Sequence, residues 1–107
     1  MENNNEALDA YIAAIKSSDI YKEYRSALEE LKKDPALKRR VDDFRKRNYN
    51  FQQSEDIDLA EYDRFRTEIV GFRASEPRAD AFFDAELAFC RMMQDMTYKI
   101  TEALDFE

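Results

Sequence analysis

Apolar residues recur at intervals of three and four along most of the chain, the spacing that places side chains on one face of an α-helix. Five segments carry this pattern, with approximate bounds 6–16, 19–31, 35–53, 59–72 and 77–104. The length of 107 residues is that of one domain. We therefore predict an elongated all-α protein with a single domain over residues 1–107, a helical hairpin or bundle built on the two long helices, 35–53 and 77–104.

Three short polar motifs mark where helices begin. Ser18 is a predicted N-cap, because its hydroxyl can accept a free backbone N–H of the next helix. Asp34 is a second predicted cap, and the proline after it loses no needed hydrogen bond at the first helical position. Ser75 and Pro77 repeat this arrangement, with Ser75 as the predicted cap. The polar residues 52–58 predict a turn.

Each helix has one predicted inward face. The third places Asn48 in the middle of a coiled-coil-like apolar seam. Helix by helix, the predicted inward residues are Leu8, Tyr11, Ile12 and Ile15; Ile20, Tyr24, Ala27, Leu28 and Leu31; Leu37, Val41, Phe44, Asn48 and Phe51; Leu59, Tyr62, Phe65, Ile69 and Phe72; and Phe82, Ala85, Phe89, Met92, Met93, Met96, Ile100 and Ala103.

The last helix has a second, smaller apolar face. The helix therefore presents more apolar surface than the rest of a chain of this length easily covers. Its three methionines allow two interpretations, flexible core packing or an adaptable partner surface. We expect the spare face to bind a partner, most simply a second copy in a dimer or higher oligomer. The candidate partner interface comprises Phe83, Leu87, Met92, Met93, Met96 and Tyr98.

Charge is unevenly distributed along the chain. The net charge is −7, yet residues 32–47 hold eight of the 17 basic residues against three acids, and so carry +5. One interpretation is a patch that binds nucleic acid or an acidic partner directly. The favoured one is a solvated helix with i,i+4 ion pairs, so we do not expect direct nucleic-acid binding. The candidate basic patch is Lys38, Arg39, Arg40, Arg45, Lys46 and Arg47.

The composition offers little for catalysis. There is no His, the commonest general base near neutral pH, and a single Gly excludes a glycine-rich phosphate loop. We expect no enzyme activity, cofactor or metal site. Cys90, the single cysteine, is predicted to be buried and unreactive at the edge of the last helix's apolar stripe. Glu86 lies at the same edge, either as a rim residue or in an ion pair with an Arg across a helix interface.

Neither a signal sequence nor a membrane span is visible. Residues 1–6 are polar and acidic, and no apolar run approaches the roughly 20 residues that a membrane-spanning helix needs. We expect a cytoplasmic protein.

The order and spacing of these segments resemble those of the YlbF/YmcA family of small bacterial helical proteins. The resemblance spans nearly the whole chain. The residues that carry it are Ala7-Leu8, Ala14-Ile15-Lys16-Ser17-Ser18, Tyr21-Lys22, Tyr24, Leu31-Lys32-Lys33-Asp34-Pro35, Val41-Asp42-Asp43-Phe44, Ala85-Glu86, Met92-Met93-Gln94-Asp95 and Ile100-Thr101-Glu102-Ala103-Leu104.

The resemblance implies a non-enzymatic helical oligomer that acts as a regulator or adaptor. Members of the family act in competence, biofilm formation and sporulation. Some assemble with partner proteins that modulate an RNA-degrading endonuclease, and that complex has been linked to iron–sulfur clusters.

Overall fold

The computed structural model describes residues 2–104, with side chains from residue 5 onward, so both ends of the predicted domain lie outside the described residues. These residues form five α-helices and no strand, as predicted. The helices are α1 (Glu2–Ser17), α2 (Asp19–Lys32), α3 (Pro35–Gln53), α4 (Leu59–Ser75) and α5 (Pro77–Ala103). The Cα radius of gyration is 17.4 Å, whereas a globular domain of this length has one of about 13 Å. The molecule is therefore elongated, as predicted.

The scaffold is an antiparallel pair formed by α2 and α5. The start of α2 meets the middle of α5, where the ring centroids of Tyr21 and Phe89 lie 5.5 Å apart. Two residues after the end of α2, Asp34 meets the start of α5, where Arg78 Nη2 donates to its Oδ2 at 3.1 Å. Only Ser18 separates α1 from α2, and α1 reaches α5 where the Tyr11 hydroxyl donates to the Met96 sulfur.

The buried core lies at one end of this pair, where α3 and α4 join it. Its residues are Leu31, Leu37, Val41, Phe44, Phe65, Phe72, Ala79 and Phe82. Stacked aromatic rings connect α3 to α4, with the Phe44 and Phe72 centroids 4.7 Å apart. Fully burying one such side chain contributes about 1.5–3 kcal/mol, so most of the apolar stabilisation is concentrated at this end.

Two of the three predicted caps are present. Ser18 Oγ accepts from the backbone N–H of Tyr21 at 3.2 Å, and Asp34 Oδ1 accepts from that of Leu37 at 3.1 Å. The prediction for Ser75 is wrong. Ser75 is the last residue of α4, and its hydroxyl donates back to the Phe72 carbonyl at 3.0 Å, a bond typical of a helix interior.

Several predicted inward positions are also exposed. Leu59 is 76% exposed because it stands at the first position of α4, beyond the aromatic contacts. Asn48 is exposed, and its place in the seam is taken by Arg47, whose guanidinium lies 5.3 Å from the Phe44 ring and 5.0 Å from the Phe65 ring. The predicted inward faces of α1 and of the end of α5 are largely exposed as well.

No helix among residues 2–104 is long and apolar enough to cross a membrane.

Candidate interaction surfaces

An exposed apolar surface lies where α1 runs beside the end of α5. The hydroxyl of Tyr11 donates to the Met96 sulfur at 3.3 Å and joins the two helices. Ile12, next to Tyr11 in the chain, is 40% exposed, and Ile100, one turn beyond Met96, is 49% exposed. We call this the α1–α5 surface; its residues are Leu8, Tyr11, Ile12, Met96, Ile100 and Leu104. Large apolar side chains left this open are a feature of interaction sites.

The residues of the predicted partner interface on α5 differ in how far the fold buries them. Phe83 is half-buried against α4, with its ring 6.5 Å from that of Phe72. Leu87 and Tyr98 are 49% and 67% exposed. Met92, Met93 and Met96 are half-buried, and of these Met96 belongs to the α1–α5 surface.

Glu86 forms the ion pair that was one of its two predicted roles. Its Oε2 lies 2.6 Å from Nη2 of Arg45, so the pair connects α5 to α3. Burial alone lowers the pKa of Arg45, but the Glu86 carboxylate together with Tyr24 and Asp42 outweighs it, and the pKa is raised overall. The Arg45 guanidinium also lies 5.6 Å from the Phe82 ring. The Arg45 guanidinium therefore contributes to the packing of α3 against α5.

Most other basic residues of segment 32–47 are paired with acids. Six of its eight cations have a carboxylate within 4.0 Å; they are Lys32, Lys33, Lys38, Arg40, Arg45 and Arg47. The pair between Arg47 and Glu68 joins α3 to α4 at 2.6 Å, and this hydrogen bond lowers the pKa of Glu68. Among residues 5–104, Arg39 and Lys46 make no such pair. The candidate basic patch thus presents little uncompensated charge.

The prediction that Cys90 is buried is wrong, because its side chain is exposed. The contacts between α4 and α5, such as that of Arg73 with Asp84, occur about two turns earlier on α5. Nothing on α4 therefore covers Cys90, although its position on the helical wheel is close to that of Phe83.

Within the described residues, no group of three or more Cys, Asp and Glu side chains could hold a metal ion. Two carboxylates do meet at Arg73, but this arrangement has a structural role. Arg73 Nε donates to Asp80 at 2.6 Å and its Nη2 to Asp84 at 2.5 Å, bracing the turn from α4 to α5. Burial lowers the pKa of Arg73, but these two carboxylates outweigh it and raise the pKa overall.

The fold and these surfaces define a small, elongated all-α protein whose exposed features are an apolar surface and a largely ion-paired cationic helix. Comparison with known families identifies it further. The chain belongs to the YlbF/YmcA family, because the family model described as "Control of competence regulator ComK, YlbF/YmcA" matches residues 6–105. The resemblance inferred from the sequence is confirmed, and the family is one of regulatory proteins.

The chain is also similar to a UPF0342 protein of Caldicellulosiruptor bescii. The two are 21% identical over 98 residues, which cover 88% of this chain and 82% of the relative. No solved structure matches the chain significantly.

Proposed function

We propose that this chain is a non-catalytic regulatory adaptor of the bacterial cytoplasm, which acts by binding a second copy of itself and another protein. The observation that carries this proposal is the α1–α5 surface, whose large apolar side chains are left open to solvent. Membership of a family named for control of a competence regulator supports a regulatory role. The process that it serves is a developmental pathway or RNA processing, as the family resemblance implies.

Self-association occurs through the α1–α5 surface. This surface contains more exposed apolar side chains than the face of Leu87 and Tyr98, and Phe83, the largest residue predicted for that face, packs against α4. Burying Ile or Leu fully contributes about 1.5–3 kcal/mol, and a two-fold axis uses every contact twice. The half-buried methionines next to the surface allow the two copies to adjust to each other.

Light scattering over a range of concentrations tests this interface. The wild-type chain is expected to reach at least twice its 12.7 kDa mass. An Ile12→Glu, Ile100→Glu double variant places carboxylates in the interface and is expected to remain at the monomer mass. A Leu87→Glu, Tyr98→Glu double variant is the matched control and is expected to associate like wild type. A monomeric wild-type protein, or dissociation only in the control variant, would contradict the proposed interface.

Binding of another protein is tested by affinity capture from the native cytoplasm, followed by mass spectrometry. A protein captured by the wild-type chain and purified separately should bind it in solution at a fixed stoichiometry. The same preparations test the direct nucleic-acid alternative, because phosphate contacts give RNA retention a steep dependence on salt. Salt-dependent RNA retention that is lost on charge reversal of Arg39 and Lys46 would favour that alternative.

A further inference from the structure

Two opposite charges on α1 lie beside the apolar side chains of the α1–α5 surface. Asp9 and Lys16 are both exposed. At 3.6 residues per turn they lie about 60° and about 40° around α1 from Ile12, whereas the buried Ile15 lies about 60° in the other direction. The two charges therefore lie on one edge of the exposed apolar face. They are separated along the helix by seven residues, about 10 Å.

Neither charge has a partner within its own chain. Among residues 5–104, no oppositely charged group lies within 4.0 Å of the Asp9 carboxylate or the Lys16 ammonium. They cannot pair with each other, because such pairs form between helix residues three or four apart. Both groups are therefore available to a molecule that covers this face.

A two-fold axis brings the two charges together when the α1 helices of two copies run antiparallel. The midpoint between Asp9 and Lys16 lies between Ile12 and Ala13. An axis through this point places residue 9 of each copy opposite residue 16 of the other, because contacts across a two-fold interface are reciprocal. The Ile12 side chains then lie side by side at the axis, and the small, exposed Ala13 allows the helices to approach closely.

We propose that two copies of this chain pack their α1 helices antiparallel, with Asp9 of each copy paired with Lys16 of the other. This inference rests on the proposed self-association, and it specifies which part of the second copy the α1–α5 surface accepts. Ile12 of both copies forms the apolar centre of the contact, and the two ion pairs lie at its rim. Charges at the rim of an interface fix the register in which the partners meet.

The same charges disfavour other arrangements of the two helices. In a parallel arrangement each Asp9 faces the Asp9 of the second copy, and each Lys16 faces the second Lys16, so both contacts are repulsive. An antiparallel arrangement shifted by one turn moves the partners of each pair about 5 Å apart along the helix. Only the antiparallel register centred between Ile12 and Ala13 satisfies both charges of both copies.

Charge-reversed variants test the pairing by light scattering over a range of concentrations. Asp9→Lys brings two ammonium groups together at each pair, and Lys16→Asp brings two carboxylates together. Each variant alone is therefore expected to associate about tenfold more weakly than wild type. The Asp9→Lys, Lys16→Asp double variant has opposite charges at both pairs again and is expected to associate like wild type.

An equimolar mixture of the two single variants is the sharpest test. When one copy carries Asp9→Lys and the other carries Lys16→Asp, both pairs join opposite charges. The mixture is therefore expected to reach a higher mean mass than either variant alone at the same total concentration. Lys16→Asp also removes a favourable cation from the last turn of α1, but that loss within the chain is the same in the mixture and cannot produce the recovery.

Matched variants on α4 control for net charge. Asp63→Lys and Arg66→Asp make the same changes of charge at exposed positions. Both are expected to associate like wild type, alone and mixed. A monomeric wild-type chain would overturn the self-association and the pairing together. If wild type associates, then single variants that associate equally well, variants that do not recover in the mixture, or equal weakening by the α4 variants would overturn the pairing alone.

Discussion

Gly71 is the chain's one glycine, and it stands inside α4 with open space where a side chain would be. Glycine in a helix interior costs about 0.5–1 kcal/mol relative to alanine. Gly71→Ala is therefore expected to raise the free energy of unfolding by about that amount, measured by urea denaturation. Ala88→Gly, at an exposed interior position of α5, is the reverse control and should lower it by a similar amount. Destabilisation by Gly71→Ala would show that close packing at this position requires glycine.

The ion pair of Arg45 and Glu86 is the best-shielded carboxylate pair between two helices, since the Glu86 side chain is only 23% exposed. Exposed pairs such as Arg25 with Glu29 are usually worth about 0.3–0.5 kcal/mol. A double-mutant cycle to alanine is expected to give a coupling of about 1 kcal/mol for Arg45–Glu86, at the upper end for surface pairs. The same cycle on Arg25–Glu29 is the comparison. Equal couplings in urea denaturation would mean that the partial shielding has no energetic consequence.

At the scale of helices, the two serine motifs that look alike in the sequence have different roles. Ser18 caps α2, whereas Ser75 ends α4 without capping α5. Ser18→Ala should lower the free energy of unfolding by about 1 kcal/mol, because a backbone N–H of α2 loses its acceptor. Ser75→Ala should change it by less than about 0.5 kcal/mol, the range of ordinary surface substitutions. Equal losses in thermal denaturation would contradict the distinction.

The bounds of α3 were predicted from local signals alone. Asp34 caps it, a proline opens it, and a polar stretch follows it, so that the predicted and observed bounds both read 35–53. Each signal acts through the backbone of neighbouring residues and needs no tertiary information. Ser75 shows the limit of such signals. Whether it caps α5 or ends α4 depends on where α4 stops, and the local sequence does not specify that.

Which face of a helix is covered could be predicted only where several helices meet. Leu37, Val41 and Phe44 are buried as predicted because α2, α4 and α5 surround them. Leu8 and Ile12 show the same spacing on α1, yet remain exposed. The spacing of apolar residues predicts that a helix has an apolar face. Which other helix covers that face depends on how the helices are arranged in the fold.

At the scale of the whole molecule, stability should be insensitive to pH near neutrality. The chain has no His, so no side chain with an ordinary pKa near 6.5 is present. The pKa values of Glu30 and Glu68 are lowered by Lys33 and Arg47. Their contribution is therefore complete above the ordinary pKa of Glu and is lost as the pH falls through the lowered values. We expect a constant melting temperature from about pH 5.5 to 8 and a decrease below about pH 4, by circular dichroism. A transition between pH 6 and 7 would contradict this.

The elongated shape leaves α1 with little of the core to stabilise it. Only Ile15 of α1 is buried among the described residues, whereas the eight-residue core cluster lies at the opposite end of α5. Helices with few buried apolar contacts open locally at a lower free energy than the rest of a protein. Association through the α1–α5 surface would cover α1, so the stability of α1 should depend on protein concentration.

Hydrogen exchange at two protein concentrations measures this coupling. In a dilute, dissociated sample, amides of α1 should exchange much faster than those around Phe82; in a concentrated, associated sample, protection of α1 should rise. Amides near Phe82 should change far less, because that residue is 1% exposed within a single chain and gains no cover on association. The Ile12→Glu, Ile100→Glu variant should show fast exchange in α1 at both concentrations. If wild-type α1 is equally protected at both while light scattering shows association, the copies meet through another surface, and the exposed face of Leu87 and Tyr98 becomes the site to test.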